Sequence, residues 1–176
     1  YSTQNTDIQT KTENEFEKSK YSLASKNGGN SSQAAMVIID HKTGYVTGCT
    51  GGLGKKTEPR SLNRATQSIR QTGSAIKPIA VLAPAISKKM ITAASIYDDT
   101  ERDFAEGYHP TDYNPSLGKV TVRRAVESSQ NIPFVEIMEK LKPSKSIKFL
   151  EKMGVTTLTE EDNNLVLALG GLQKGI

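Results

Sequence analysis

A serine hydroxyl becomes a useful nucleophile only when a base stands within hydrogen-bond reach. A serine and a lysine three residues apart on a helix meet that condition, because positions i and i+3 share a face. Ser74-Ala75-Ile76-Lys77 has this spacing. The pattern by itself says little, since a Ser-x-x-Lys match is expected roughly once by chance in a chain of this length, and a second, Ser116-Leu117-Gly118-Lys119, is present. Context separates the two. The second lies in a loop, between Pro115 and Val120 with a glycine inside it, whereas Ser74 follows Gly73 at the start of an apolar run that continues to Ile86. At such a helix start the Ser74 N–H is placed to help bind an oxyanion. Lysine is a poor base at its ordinary pKa of about 10.4, so Lys77 must be desolvated or crowded by positive potential to act. The apolar helix offers the first and the first-turn position the second. From spacing alone the plainer reading is preferred, with Ser74 an N-cap and Lys77 a solvated side chain.

Composition excludes several other chemistries. The 23 Lys and Arg exceed the 19 Asp and Glu by only 4, spread along 176 residues, so nucleic-acid binding is not indicated. One cysteine, Cys49, forms no internal disulfide, and with only His41 and His109 beside it makes no zinc set. No metal or cofactor is expected, and Cys49 is read as structural. The longest apolar runs, Ala34 to Ile39 and Ile79 to Ile86, fall far short of the ~20 residues that span a bilayer, so neither a transmembrane helix nor a signal peptide is expected.

The elements that must position Ser74 and Lys77 follow from turn chemistry and periodicity. Residues 1–33 are polar, with a helix expected over Asp7 to Tyr21 whose few apolar positions suit the surface of another element, and a turn over Lys26 to Ser32. Ala34 to Asp40 and Tyr45 to Thr50, joined by His41-Lys42-Thr43-Gly44, predict a β-hairpin. Ser74 to Ile86 predicts a helix buried on nearly every side, with Pro78 tolerated early and Pro84 kinking it or ending a turn. Tyr97 to Lys119 has the length and Gly/Pro content of a functional loop near a site. Thr121 is an N-cap for Val122 to Ser128, and Pro133 opens a helix whose Phe134, Ile137, Met138 and Leu141 share one face. Ser129 to Asn131 therefore occupies a helix-to-helix joint. Ser144 is expected to cap a further helix ending at Gly154, and Leu165 to Leu169 reads as helix or strand.

These residues, taken in order, carry a resemblance. Arg70-Gln71-Thr72-Gly73-Ser74-Ala75-Ile76-Lys77-Pro78, preceded by Gly51-Gly52 and Leu62-Asn63-Arg64-Ala65-Thr66-Gln67, resembles the active-site serine region of bimodular class A penicillin-binding proteins. The likeness extends through Tyr108-His109-Pro110, Tyr113-Asn114 and Gly118 to Ala125. It closes on Ser129-Gln130-Asn131-Ile132-Pro133, which looks like the family's Ser-x-Asn motif. Ser25-Lys26-Asn27 and Ser61-Leu62-Asn63 match that short pattern too, but only Ser129 lies in a helix joint downstream of the nucleophile. Thr72, where proline is frequent in the family, and Gln130 inside the second motif are small departures that touch no reacting group.

The resemblance implies an α+β penicillin-binding, serine β-lactamase-like transpeptidase fold, with residues 1–33 as a lead-in and 34–176 as the first part of the domain. It implies a D,D-transpeptidase in which Ser74, Lys77, Ser129 and Asn131 are catalytic and Gly73, Ser74, Ser129 and Asn131 bind substrate. The implied partners are peptidoglycan stem peptides or their lipid-linked precursor, and β-lactams that acylate the same serine. The implied setting is extracytoplasmic, attached to the membrane by a segment outside this chain, with a glycosyltransferase module upstream. The family's third motif, Lys-Thr-Gly or Lys-Ser-Gly, belongs on a later strand. The sole Lys-Thr-Gly, Lys42-Thr43-Gly44, precedes Ser74 in a hairpin turn and is rejected. The sheet is accordingly expected to be incomplete here, and a companion chain bearing the remainder is expected as a partner. A penicillin-sensing receptor domain and a serine β-lactamase or D,D-carboxypeptidase are the alternatives.

Overall fold

The computed structural model describes residues 2–24 and 31–176, so Ser25-Lys26-Asn27 and most of the expected Lys26 to Ser32 turn lie outside the described residues. The chain forms two compact units, Tyr1–Ser68 and Ile69–Ile176.

In the first unit, helix α1 (Thr6–Phe16) starts at Asn5, whose side-chain oxygen accepts from the Ile8 N–H, and buries Thr12 and Phe16. It is shorter than expected, and a separate 3-10 turn, Ser19–Tyr21, takes the place of its last residues. Strands β1 (Met36–Ile39) and β2 (Val46–Thr50) form the expected antiparallel hairpin, with Met36 opposite Thr50. Asp40 organises the turn by accepting from the Lys42 N–H at 3.0 Å and the Thr43 hydroxyl at 2.9 Å, while Gly44 takes the φ of 73° that closes it. Lys42-Thr43-Gly44 is thus turn chemistry. The Gln9 side-chain amide pairs with β2 as a strand residue would: it accepts from the Cys49 N–H at 2.8 Å and donates to the Cys49 carbonyl at 2.9 Å. A surface helix is thereby fastened to the edge of β2, where the Asn5 N–H also donates to the Thr47 carbonyl at 2.9 Å. Beyond the loop at Gly51, a short helix α2 (Arg64–Gln67) is capped by Asn63, whose amide also lies 3.6 Å from the Cys49 sulfur.

The second unit is built around the nucleophile segment. Gly73–Ile76 is a 3-10 turn, Lys77–Leu82 is π-helical, and Ala83–Ser87 continues as helix α3. The expected single helix therefore changes winding twice. Its second change, from π to α, falls immediately before Pro84, which has no N–H to return to the Ala80 carbonyl four residues earlier. Ser146, fully buried, donates its hydroxyl to that carbonyl at 2.6 Å.

The stretch from Tyr97 to Lys119 is irregular as expected, except that its two ends pair. Strand β3 (Ile96–Asp98) lies antiparallel to β4 (Lys119–Thr121) and closes the neck of the loop. Thr121 caps helix α4 (Val122–Glu127) by accepting from the Arg124 N–H. Helix α5 (Ile132–Leu141) carries Pro133 in its first turn and buries Phe134, Ile137, Met138 and Leu141 against Ile76 and Val81 of the core. Helix α6 (Pro143–Lys152) begins one residue before the expected Ser144 cap. Lys142, at a φ of 78°, reverses the chain, and Pro143, with its fixed φ and missing N–H, takes the first helical position. Gly154 follows the helix at a φ of 94°, as expected of a helix stop. Leu165–Leu169 resolves as a 3-10 helix, capped by Asn164 and ended by Gly170. No helix among the described residues is long and apolar enough to cross a membrane.

The C-terminal residues strap the segment that leads into Ser74. Arg70 and Ile176 exchange backbone hydrogen bonds at 3.0 Å each, and the Gln71 amide exchanges both of its hydrogen bonds with the Leu172 backbone. Gly170, at a φ of 78°, approaches so closely that a side chain there would collide with the Gly73 backbone.

Two outcomes follow in the full protein. Ser146→Ala should cost about 1–3 kcal/mol by leaving the Ala80 carbonyl without that donor, read as a lowered thermal or urea midpoint. Gly170→Ala should slow any reaction of Ser74 by tenfold or more, as an order-of-magnitude expectation for backbone displaced next to a reacting group. Reaction of Ser74 unchanged in Gly170→Ala would show that the strap does not position it.

Candidate active site

The candidate site is where the start of the π-helical segment meets the joint between α4 and α5. Lys77 is 3% exposed, although it opens a helical segment. Its ammonium donates to the Ser129 carbonyl at 2.9 Å, the Gln130 carbonyl at 2.9 Å and the Asn131 Oδ1 at 2.8 Å. Three donors meet three acceptors, which is the full capacity of a lysine head group. The Phe134 ring lies 5.0 Å from Nζ and covers another side of it. Burial pushes the Lys77 pKa down to about 8, while the negative charges of Asp112 and Asp99 oppose that fall. The solvated lysine of the plainer reading is therefore replaced by a buried one.

Ser74 lies in the 3-10 turn just before it, and the Lys77 N–H donates to the Ser74 carbonyl. Positions i and i+3 eclipse in a 3-10 turn, so the two residues emerge on the same side. Ser74 is exposed, and among the described residues its hydroxyl makes no hydrogen bond. Gly73, at a φ of 52°, bends the backbone into the turn ahead of it.

The joint itself is unusual backbone. Ser129 has a φ of 55°, a left-handed conformation uncommon for a residue other than glycine. That twist turns successive carbonyls, those of Ser129 and Gln130, toward one ammonium. Ser129 thus meets Lys77 through its carbonyl, and its own side chain is exposed. Asn131 is held from two sides: its Nδ2 donates to the Thr111 carbonyl at 2.7 Å, and its backbone N–H donates to Asp112. The structure therefore brings Lys77, Ser129 and Asn131 together through direct hydrogen bonds, and links Ser74 to them through the backbone of one turn.

Three residues of this site were not singled out from sequence. Gln130, treated there as a small departure inside the motif, is 1% exposed and donates to Asp99 and, at 3.2 Å, to the Pro115 carbonyl. Asp99, fully buried, also accepts from the Leu117 N–H at 2.8 Å. Asp112 accepts from the Asn131 N–H. Both aspartates come from the irregular stretch between β3 and β4, whose proximity to a site was expected, but no periodicity marks individual positions within a loop. The second Ser-x-x-Lys match separates from the first in structure as well: the Ser116 hydroxyl donates to the Asp99 carbonyl at 2.7 Å, and Lys119 lies in β4.

Comparison with known proteins gives the family. A family model described as the penicillin-binding protein transpeptidase domain matches residues 34–167. Penicillin-binding protein 1A of Clostridium acetobutylicum is 34% identical over 185 aligned positions, which cover 96% of this chain and 23% of that protein. The protein of the same name from Clostridium tetani is 37% identical over 145 positions, covering 78% of this chain and 18% of that one. The chain thus spans about a fifth of the curated relatives it matches. Among solved structures, PonA1 of Mycobacterium tuberculosis in complex with penicillin V superposes with a TM-score of 0.77 at 21% identity, covering 100% of this chain and 47% of that one. Penicillin-binding protein 1A of Haemophilus influenzae superposes at 0.69 with 24% identity, covering 84% and 23%. The structural likenesses establish a shared fold, and the α+β arrangement of small antiparallel sheets and helices is part of it. The family model spans well over half of the chain, and the chain accordingly belongs to the penicillin-binding protein transpeptidase family.

Proposed function

We propose that the chain carries the nucleophile half of a serine D,D-transpeptidase site of cell-wall peptidoglycan synthesis. The observation that carries the reading is the seating of Lys77. A lysine buried on three acceptors, with its pKa drawn down to about 8 and its backbone joined to an exposed serine, is placed for proton transfer and is poorly suited to a surface role. When Lys77 loses a proton it keeps two N–H donors for its acceptors and frees a lone pair for the Ser74 hydroxyl.

In this reading Ser74 Oγ bonds to the carbonyl carbon of the penultimate D-alanine of a stem peptide, and the hydroxyl proton passes to Lys77. The Ser74 N–H, beside Gly73, supports the oxyanion. The peptide C–N bond then breaks, and Ser129 relays the proton to the departing D-alanine amine. Asn131 holds Lys77 and offers its amide to the substrate. An amine of a second stem peptide attacks the Ser74 ester, a new amide forms, and the hydroxyl is restored, leaving two glycan strands cross-linked. A β-lactam enters the first step in the same way and stays as a slowly hydrolysed ester. The remaining strands and third motif would come from a companion segment or chain. The site would stand outside the membrane, attached by another part of the protein, in keeping with similarity to class A penicillin-binding proteins.

Two measurements test this in the full protein. Incubation with benzylpenicillin should add the mass of one opened drug molecule, located on Ser74 and absent from Ser74→Ala. An adduct lost rapidly would instead favour a β-lactamase, and a stable adduct without cross-linking of stem peptides a receptor. The acylation rate should rise about tenfold for each pH unit up to about 8 and then level, because the amine must be neutral to accept the proton and is charged below its pKa. Lys77→Arg, charged at every accessible pH, should abolish the reaction. A flat profile between about pH 6 and 9 would overturn Lys77 as the base.

A further inference from the structure

Behind the Ser129–Asn131 joint lie two carboxyl groups that the proposed chemistry does not use. Asp99 is fully buried, with its Oδ2 accepting from the Gln130 side-chain amide and the Leu117 N–H. Asp112 has its Oδ1 on the Asn131 N–H. The remaining oxygens, Asp99 Oδ1 and Asp112 Oδ2, are both buried and both without a hydrogen-bond donor among the described residues. The two carboxyls hold adjacent residues, Asp99 the Gln130 side chain and Asp112 the Asn131 N–H, and the Asp99 side chain acts on Asp112 both by its charge and by hydrogen bonding. Two buried acceptors facing one another are unfavourable as a pair of anions, and one proton between them satisfies both.

We propose that Asp99 and Asp112 share one proton beneath the joint, and that they act as positioning residues whose combined charge governs how firmly Lys77 holds its own proton. The shared proton makes the pair a single anion with every oxygen bonded. One carboxyl then holds Gln130 and the other the Asn131 N–H, so the acceptors of Lys77 are braced from behind. The ionisable groups acting on Asp112 are Asp99 and Lys77, while the α4–α5 joint faces the pair with the neutral Gln130 amide and the Asn131 N–H. Burial, aided by the Asp99 charge, raises the Asp112 pKa to about 6, in keeping with a proton retained above the ordinary carboxylate range. When that proton leaves, the pair gains a second negative charge, and Lys77, whose charge both aspartates favour, gives up its proton less readily. The coupling is reciprocal, as linkage requires.

The inference rests, in its effect on catalysis, on the reading of Lys77 as the base, and two independent measurements on the full protein separate them. The first is infrared difference spectroscopy of the carboxyl stretch. A protonated carboxylic acid should persist at about pH 5, where ordinary aspartates have ionised, and should vanish in Asp112→Asn and in Asp99→Asn. Absence of that band from the wild-type protein, or its survival in both variants, would overturn the shared proton.

The second is the pH profile of benzylpenicillin acylation. Asn at either position supplies an amide donor in place of the proton and holds the pair at one negative charge at every pH, so that the second charge gained by wild type above about pH 6 never appears. Each single variant should therefore stay active, match wild type below about pH 6 and react about threefold faster between about pH 6 and 8, where its profile is displaced to lower pH. Asp99→Asn combined with Asp112→Asn opposes two amide donors and should lose about tenfold or more at every pH. A single Asn variant that merely loses rate across the whole range, as Asp112→Ala should, would overturn the charge coupling, because a purely structural role cannot displace the profile. A wild-type protein that shows the carboxylic acid band but forms no adduct would overturn the acyltransferase reading and leave the shared proton standing.

Discussion

The arrangement depends on one costly act, the burial of a lysine ammonium. Removing such a charge from water costs several kcal/mol unless its donors are all met, and the α4–α5 joint meets all three with the carbonyls of Ser129 and Gln130 and the side chain of Asn131. Much of the second unit can be understood as what it takes to hold those acceptors still. Ser129 adopts a left-handed conformation to direct its carbonyl, Thr111 and Asp112 hold Asn131, and Asp99 holds Gln130. The cost of burial is also what makes the group useful, since the environment that disfavours the ammonium brings the neutral amine into an accessible pH range.

The helix that carries Lys77 shows the same exchange between strain and position. A regular α-helix from Ser74 to Ser87 would leave Pro84 in its interior, at a cost of about 3 kcal/mol. The chain instead winds tightly through Gly73–Ile76, loosely through Lys77–Leu82, and returns to α-helix at Ala83. The tight turn eclipses Ser74 and Lys77, and the loose one ends at the proline, with Ser146 of α6 serving the Ala80 carbonyl. The segment that precedes Ser74 is tied by the C-terminal strap, whose Gly170 permits an approach no other residue would allow.

Much of this was legible in the sequence where the signal was local. The hairpin followed from two β-branched or apolar segments around a Thr-Gly turn, the start of α4 from a threonine cap, that of α5 from a first-turn proline, and the α5 core face from its spacing. The misjudged details were those in which two local signals competed. Ser144 is a good cap in isolation, but Pro143 beside a left-handed Lys142 starts α6 earlier, and the apolar run after Ser74 hid two changes of winding that apolar content cannot reveal.

The sequence by itself determined which groups were available and in what order: a serine and a lysine three apart, a Ser-x-Asn joint downstream, and a loop between them with the length of a functional one. Spacing only nominated the Ser74–Lys77 pair, and the order of the segments around it, through the family resemblance, singled it out. Only the tertiary structure decided that Lys77 is buried, that its partners lie 52 to 54 residues away, and that Asp99 and Asp112 stand behind them. Those contacts join residues far apart in the chain, and their energies come from desolvation and from hydrogen bonds completed across elements. No property of a single segment encodes such a balance, because it exists only once the elements have packed.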